Sequence, residues 1–494
     1  MKKVTVVFWV TLAITVGLSL LGVVAPDQFE NVSGAVMGYI SDKFGWYYLL
    51  IVTLFVLFCL YLVFSPYGKI RLGKPGEKPE FSYSSWLSML FSAGMGIGLV
   101  FYGVYSPVSH YATHPPTAEP GTTEALEEAL RVTFFHYGVH AWAIYAVIAL
   151  VLSYFMFRHE KPGLVSSALE PLFGDKMKGF AGKVIDIIAV FATIVGVATT
   201  LGFGATQVNG GIAYLFNVPN TFWVQLVIIL IVTVLFMIST YTGLSKGIRY
   251  LSNANMGIAS LLFLFTLVLG PTLFIINSFI DTVGEYIQQL PRESFRLAPN
   301  DEGERQWVLD WTVFFWAWWL AWAPFVGIFI ARVSKGRTIR EFISGVLIVP
   351  TVVSFLWFST FGISGIEAQN EGADIAGLPK EQALFGMFDE FPLGMVLSIL
   401  AILLISTFFI TSADSATFVL GMQTTNGSMS PPTTVKFTWG LAQSTIAAVL
   451  LYTGGLQALQ NALISAALPF SFIMLLMVVS FYKALKKDKE KNWK

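Results

Sequence analysis

Apolar runs long enough to cross a bilayer recur along the whole 494-residue chain, and they decide its fold class before any motif is considered. Val4 to Val24 and Phe222 to Ile238 are two of them, close to the ~20 apolar residues a helix needs to traverse the hydrocarbon. Backbone polar groups there must be satisfied within the segment, so the spans are helices. Spans are expected near 5–25, 46–64, 86–110, 133–156, 184–216, 222–240, 254–280, 309–332, 338–362, 392–422, 434–454 and 460–482. The chain is 12% charged, about half the roughly 25% of an ordinary soluble domain. Met1-Lys2-Lys3 ahead of an apolar run resembles a secretory leader, but no A-x-A cleavage site follows, so the run is read as the first span. The single cysteine, Cys59, lies inside an apolar run, which excludes an intramolecular disulfide and a cysteine metal cluster.

Charge checks the span count. With twelve spans, 24 of the 30 Lys and Arg fall on the terminal side of the membrane, and only Lys43, Arg131, Arg292, Arg296, Arg305 and Lys380 fall on the other. Of the 30 acidic residues, 20 fall on that other side, with Asp414 inside a span. A miscounted span would scramble this separation. An even number of spans with both termini cytoplasmic follows from the positive-inside rule, in a cell membrane. The expected division is 1–80 for two N-terminal spans and a linker, 81–281 for five spans, 282–306 for an external amphipathic segment, 307–482 for five more spans, and 483–494 for a short basic tail suited to anionic lipid. In the external segment, Phe279, Ile280, Val283, Tyr286, Ile287 and Leu290 recur at helical spacing. The stretch from Gly365 to Glu390 is Gly-rich and acidic and reads as a loop.

Four segments carry chemistry. In the third span, Ser92-Ala93-Gly94-Met95-Gly96-Ile97-Gly98 places three glycines at alternate positions, each costing about 1 kcal/mol in a helix. Spacing alone leaves two readings open, close helix packing or an unwound stretch offering carbonyls to a cation. The other segments tip the expectation to unwinding. The eighth span holds five tryptophans within twelve residues, from Trp311 to Trp322. An interfacial belt suits Trp311 and Trp316 but not the deeper ones. Phe315, Trp319 and Trp322 lie at i, i+4 and i+7 on one face, and Pro324 invites a kink beside them. Such faces suit a quaternary ammonium, which accepts no hydrogen bond but is drawn to π systems, at up to ~2 kcal/mol per desolvated contact. A plain aromatic core is the alternative.

The fourth span adds Tyr137, Trp142 and Tyr145, with His136 and His140. With no third ligand placed beside them, the histidines read as satisfied core residues rather than a zinc site. In the tenth span, Thr411 and Ser412 offer hard oxygens to a small cation. Asp414 reads as a helix cross-link or cap. The run from Arg332 to Glu341 reads as a positive anchor.

These strings resemble the betaine/choline/carnitine transporter family, and sodium-coupled glycine betaine carriers in particular: Gly94 to Gly103, Trp311 to Glu341, and Ile410 to Ala416. The resemblance implies an all-α LeuT-type 5+5 inverted repeat behind two extra N-terminal helices, assembled as a homotrimer. It implies a cage of Tyr137, Trp142, Tyr145 and Trp319, with Trp318, Trp322, Met95 and Gly96 as further substrate contacts. One sodium would sit on carbonyls of Ser92, Met95 and Phe408 and hydroxyls of Thr411 and Ser412. A second would use Thr193 and the backbone near Phe325. The sequence departs from that pattern at Tyr137, where tryptophan is expected, and at Val197, where a second hydroxyl is expected one turn after Thr193. Gly98 stands where proton-coupled choline carriers are expected to have Asp, which favours sodium and a zwitterion. Ser106 precedes Pro107 where an acidic residue is usual.

The expected activity is therefore sodium-coupled uptake of glycine betaine, a compatible solute, with proton-coupled or exchange transport of choline or carnitine as the alternative. No triad, HExxH string or cysteine cluster supports an enzyme, and an aromatic cage that holds its ligand is a poor channel filter. No cofactor is expected beyond the coupling ions, and no nucleic acid.

Overall fold

The structure, a computed structural model, describes residues 4–94, 96–242 and 245–492, apart from the side chains of 91–94, 242, 245–249 and 489–492. α1 (Val6–Val24) and α2 (Pro26–Phe64) are the first two spans. The third is made of two pieces, α3 (Tyr83–Gly94) and α4 (Ile97–Ala112), and so is the fourth, α5 (Thr123–Tyr137) and α6 (Val139–Ser153). A short α7 (Glu170–Phe173) precedes α8 (Phe180–Phe216), α9 (Phe222–Thr242) and α10 (Ser245–Leu269), the fifth to seventh spans. Two connecting helices, α11 (Thr272–Ser294) and α12 (Glu302–Trp307), lead to the eighth span, α13 (Phe314–Val333). Then come α14 (Ile339–Asn370), a short α15 (Ala383–Asp389), α16 (Gly394–Gln423) and α17 (Thr433–Asn492). Ten stretches among the described residues are long and apolar enough to span. α17 bends at Gly454 and Gly455 into two crossings, and the interrupted α3–α4 supplies the third span, which reconciles ten stretches with about twelve crossings.

The packing repeats itself. α4 packs on α14 as α13 packs on α6, and α10 packs on α16 as the last part of α17 packs on α8, where Gly202 meets Leu459. Exchanging spans three, four, five and seven with eight, nine, ten and twelve carries each pair into the other, which is the inverted repeat. α2 stands outside it and braces the twelfth span, Tyr48 donating to the Ile464 carbonyl at 2.9 Å. Large side chains such as Trp86, Trp142, Trp316 and Trp439 are fully buried between helices.

Charge sorts the two faces. On the terminal side, Arg158 pairs with Asp488 at 2.7 Å, Thr5 bonds Thr424, and Leu72 bonds Arg337. Arg332 to Glu341 is more than an anchor. Arg337 lies over Tyr83 and Trp86, Lys335 pairs with Glu77 at 3.0 Å, and Thr338 with Glu341 forms the capping box that starts α14. On the other side, Arg131 and Arg296 are held among Glu128, Glu293 and Glu304, tying α5 to α11 and α12.

Several boundaries differ from the sequence reading. The seventh span ends at Leu269 and the amphipathic helix begins at Thr272, not near 282. Apolar residues continue across the Gly270-Pro271 turn, so hydropathy alone runs the two helices together. The stretch from 365 to 390 holds the end of α14 and all of α15 rather than a plain loop. Trp316 is not a belt residue. It is fully buried, stacked 5.7 Å from His140.

Candidate substrate and ion site

Four polar and aromatic segments converge on one cavity of about 1580 Å³. It runs from the rings of α13 to Arg332 and Lys436, and the exposed Ser85 and Asn253 line its mouth. On the opposite side the path is packed shut by Tyr102, Phe314, Phe315 and His110, all buried.

Trp319 is the centre of the ring group. Its centroid lies 5.0 Å from Tyr145, 5.7 Å from Tyr137 and 5.9 Å from Trp142. The N–H groups of the three cavity-lining indoles are spent on the protein: Trp319 Nε1 donates to the His136 carbonyl at 3.1 Å, Trp322 Nε1 to the Gly196 carbonyl at 2.7 Å, and Trp318 Nε1 to Thr200 Oγ1 at 3.2 Å. With the donors tied, those indoles offer the cavity chiefly their apolar π surface. Tyr137, Tyr145, Trp318, Trp319 and Trp322 line it. Trp142 does not. It is wholly buried behind Tyr145, 5.5 Å away, and Trp319, so it seats those rings. Phe315 likewise backs Tyr137 at 5.2 Å instead of facing the cavity.

The third span is interrupted where the glycine string falls. Gly96 is fully extended (φ −159°, ψ −179°), and Gly96, Ile97 and Gly98 line the cavity. Leu99 and Val100 donate to the Gly96 carbonyl at 3.1 and 3.5 Å, so α4 starts on this extended residue, and the positive end of its dipole there favours an anionic group. Gly98 allows the backbone to lie under Trp318, whose ring would be 2.9 Å from a Cβ there. Met95 and the side chain of Ser92 lie outside the described residues.

Phe408, Thr411 and Ser412 line the same cavity. Thr411 Oγ1 donates within its helix to the Thr407 and Phe408 carbonyls at 3.0 and 3.2 Å and accepts from Asn255 Nδ2 at 3.4 Å, so its hydroxyl oxygen stands at the cavity wall, the type of ligand a hard cation takes. Thr193, buried in α8, likewise donates to a carbonyl of its own helix, Ala189 at 2.7 Å, and Phe325 lines the cavity. Asp414 cross-links helices, accepting from the Thr240 hydroxyl, with Lys436 Nζ 3.5 Å from the Thr240 carbonyl. His136 shares a hydrogen bond with Thr312 at 2.9 Å and His140 with Ser294 at 3.0 Å, both in the core. No group of three or more His, Cys, Asp or Glu able to hold a metal occurs among the described residues.

Three contributors escaped the sequence reading. Phe358 packs 4.3 Å from Tyr137, and Asn255 reaches Thr411 from a helix with no motif. Gly138 breaks the fourth span between Tyr137 and Trp142. The string His136-Tyr137-Gly138-Val139-His140 held that last signal, a glycine directly after an aromatic pair.

Residues 6–490 match the family described as BCCT, betaine/carnitine/choline family transporter. The chain is 60% identical over 490 residues to the glycine betaine transporter OpuD of Bacillus subtilis (strain 168), covering 99% of this chain and 96% of that one. It is 43% identical to the ectoine/hydroxyectoine transporter of Virgibacillus pantothenticus, covering 98% and 97%. It is 40% identical to the osmo-dependent choline transporter BetT2 of Acinetobacter baylyi (strain ATCC 33305 / BD413 / ADP1), covering 98% and 71%. Among solved structures, a substrate-bound, outward-open sodium-coupled sialic acid symporter aligns over 89% of this chain and 86% of its own, with TM-score 0.50 and 16% identity. That likeness concerns the fold alone. The protein is a multi-pass membrane transporter and not an enzyme, and it belongs to the betaine/carnitine/choline transporter family.

Proposed function

We propose that the protein takes up glycine betaine by sodium-coupled symport and alternating access. The observation that carries the reading is the set of ring faces around Trp319, whose N–H edge is already bonded to the protein. A trimethylammonium group has no hydrogen to donate and gains only from such faces. Its carboxylate would meet the positive N-terminal end of α4 in the same cavity. The 60% identity to a glycine betaine transporter supports this choice over choline or carnitine.

Sodium would be carried at Phe408, Thr411 and Ser412, with the interrupted third span opposite. A sodium ion moving down a 100 mV potential releases ~2.3 kcal/mol, enough for more than tenfold accumulation at about 1.4 kcal/mol per decade. A second sodium would use the Thr193 hydroxyl, which like that of Thr411 donates to its own helix and keeps a lone pair free, with the backbone near Phe325. With the basic face cytoplasmic, the cavity opening at Arg332 and Lys436 corresponds to the inward-open limb of the cycle. Assembly as a homotrimer, and contact of the basic tail with anionic lipid, belong to the same reading.

Uptake of labelled glycine betaine into reconstituted vesicles, with and without an inward sodium gradient, tests it. Uptake should need the gradient. Flux indifferent to sodium would instead indicate proton coupling or exchange. Thr411→Ala with Ser412→Ala should raise the sodium concentration for half-maximal uptake roughly tenfold or more, consistent with two lost oxygen ligands at ~1 kcal/mol each. Gly138→Ala should raise the betaine KM about tenfold in the same vesicles. A Cβ there would stand 2.5 Å from the Phe134 carbonyl and 2.6 Å from the Tyr286 hydroxyl, so the break must shift, and about 1.4 kcal/mol of lost contact is a factor of ten.

A further inference from the structure

We propose that Tyr286, on the outer amphipathic helix α11, is a positioning residue for the substrate site: it holds the fourth span open at Gly138 and so fixes where Tyr137 and Tyr145 stand around Trp319. The proposal rests on the ring-cage reading above and assigns it a residue outside the cavity.

Tyr137 is the last residue of α5, and Tyr145 lies in α6, on the far side of the break. In one continuous helix the two would be eight residues apart, about 12 Å along the axis. Here both rings reach the same indole, at 5.7 and 5.0 Å. The break at Gly138 lies between the two rings along the chain, so any shift in it moves one ring relative to the other around Trp319. It also frees a carbonyl of the last turn of α5, as a helix end must, and His136 uses its carbonyl to accept Trp319 Nε1.

Something must satisfy the amide that the break strands on the other side. Val139 N donates to the Tyr286 hydroxyl oxygen at 3.1 Å, and that hydroxyl rests on Gly138, where no Cβ intervenes. The Tyr286 ring is itself seated: it is buried, edge-on to Phe355 at 4.9 Å, and Phe355 stacks on Phe134 of α5 at 4.0 Å. Glu285 and Glu293 of α11 both meet Arg131 of α5, at 3.5 and 3.3 Å. α11 is thus clamped to α5 and delivers one hydroxyl to the hinge. Buried donors are rarely left unpaired because the loss costs a full desolvation penalty, so removing the hydroxyl should let the break drift.

Tyr286→Phe keeps the ring and deletes only the acceptor. In sodium-loaded uptake by reconstituted vesicles, the betaine KM should rise roughly three- to tenfold, the span of one buried hydrogen bond, with Vmax within about twofold. Trp319→Phe removes the donor to His136 while keeping an aromatic face. Since both changes act on one hinge, the KM rise of the double variant should fall at least about threefold short of the product of the single effects. An unchanged KM in Tyr286→Phe, a loss confined to Vmax, or multiplicative effects would overturn the proposal. Should Tyr286→Phe fail to assemble, Phe355→Leu, which loosens the seat of the ring, gives the same comparison with a smaller rise expected and an unchanged KM again overturning it. Trp319→Ala run in parallel separates the two ideas: no effect there sinks the ring cage itself, whereas a large effect beside a silent Tyr286→Phe sinks only the role of α11.

Discussion

Trp319→Ala should raise the glycine betaine KM by roughly thirty- to hundredfold, a loss of about 2–3 kcal/mol from one desolvated cation–π face and the rings it supports. Tyr137, Tyr145 and Trp142 all lean on this indole, so its removal also unseats them. Trp142→Phe should do much less, because Trp142 lies behind the cage and not on the cavity wall. Saturation uptake in proteoliposomes measures both. Equal losses at the two positions would mean that packing, not the exposed face, holds the substrate.

Arg296→Met should destabilise the face opposite the termini by about 3–5 kcal/mol, the usual cost of removing one partner from a buried ionic group. Arg296 is only 8% exposed. Its guanidinium meets Glu293 at 3.1 Å and Glu304 at 2.6 Å and lies over the Trp307 ring. Glu293 is buried too, and Arg131 at 3.3 Å would be left as its main counter-charge. Thermal unfolding in detergent, with hydrogen exchange across α11 and α12, reads the loss. Asp42→Asn is the control: its partners Lys43 and Arg305 are solvated, and exposed pairs contribute ~1 kcal/mol at most. If Arg296→Met melted no earlier than Asp42→Asn, the outer cluster would not be a structural clamp.

Much of the architecture was legible because the bilayer imposes it. Spans need uninterrupted apolar length, and charge cannot cross, so the segregated Lys and Arg gave both the even count and the sidedness of Arg158 and Arg296. The tryptophan segment pointed to a ring-lined cavity because no soluble or lipid-facing role accounts for Trp318, Trp319 and Trp322 together, and all three line one. What stayed hidden was contact made across the fold. Helical spacing put Phe315 on the same face as Trp319, yet neighbouring helices place Phe315 in the core against His136, 4.7 Å away. Trp142 and Tyr145 share a face in sequence, but only Tyr145 reaches the cavity. Thr193 and Thr411 both donate to a carbonyl one turn back in their own helices, a habit of threonine that sequence spacing does not reveal. Gly138 looked like one more glycine in a membrane helix, and its meaning depends on Tyr286, almost 150 residues away.

Competition by an isostere that lacks the cationic nitrogen tests the central claim most directly. 3,3-Dimethylbutanoate keeps the carboxylate and the shape of glycine betaine but replaces the quaternary nitrogen with carbon. If ring faces hold a cation, it should inhibit labelled betaine uptake at least roughly thirtyfold less well than betaine itself, the worth of about 2 kcal/mol. Inhibition equal to that of betaine would show that the cavity recognises bulk and carboxylate alone, and the charge-based account would be wrong.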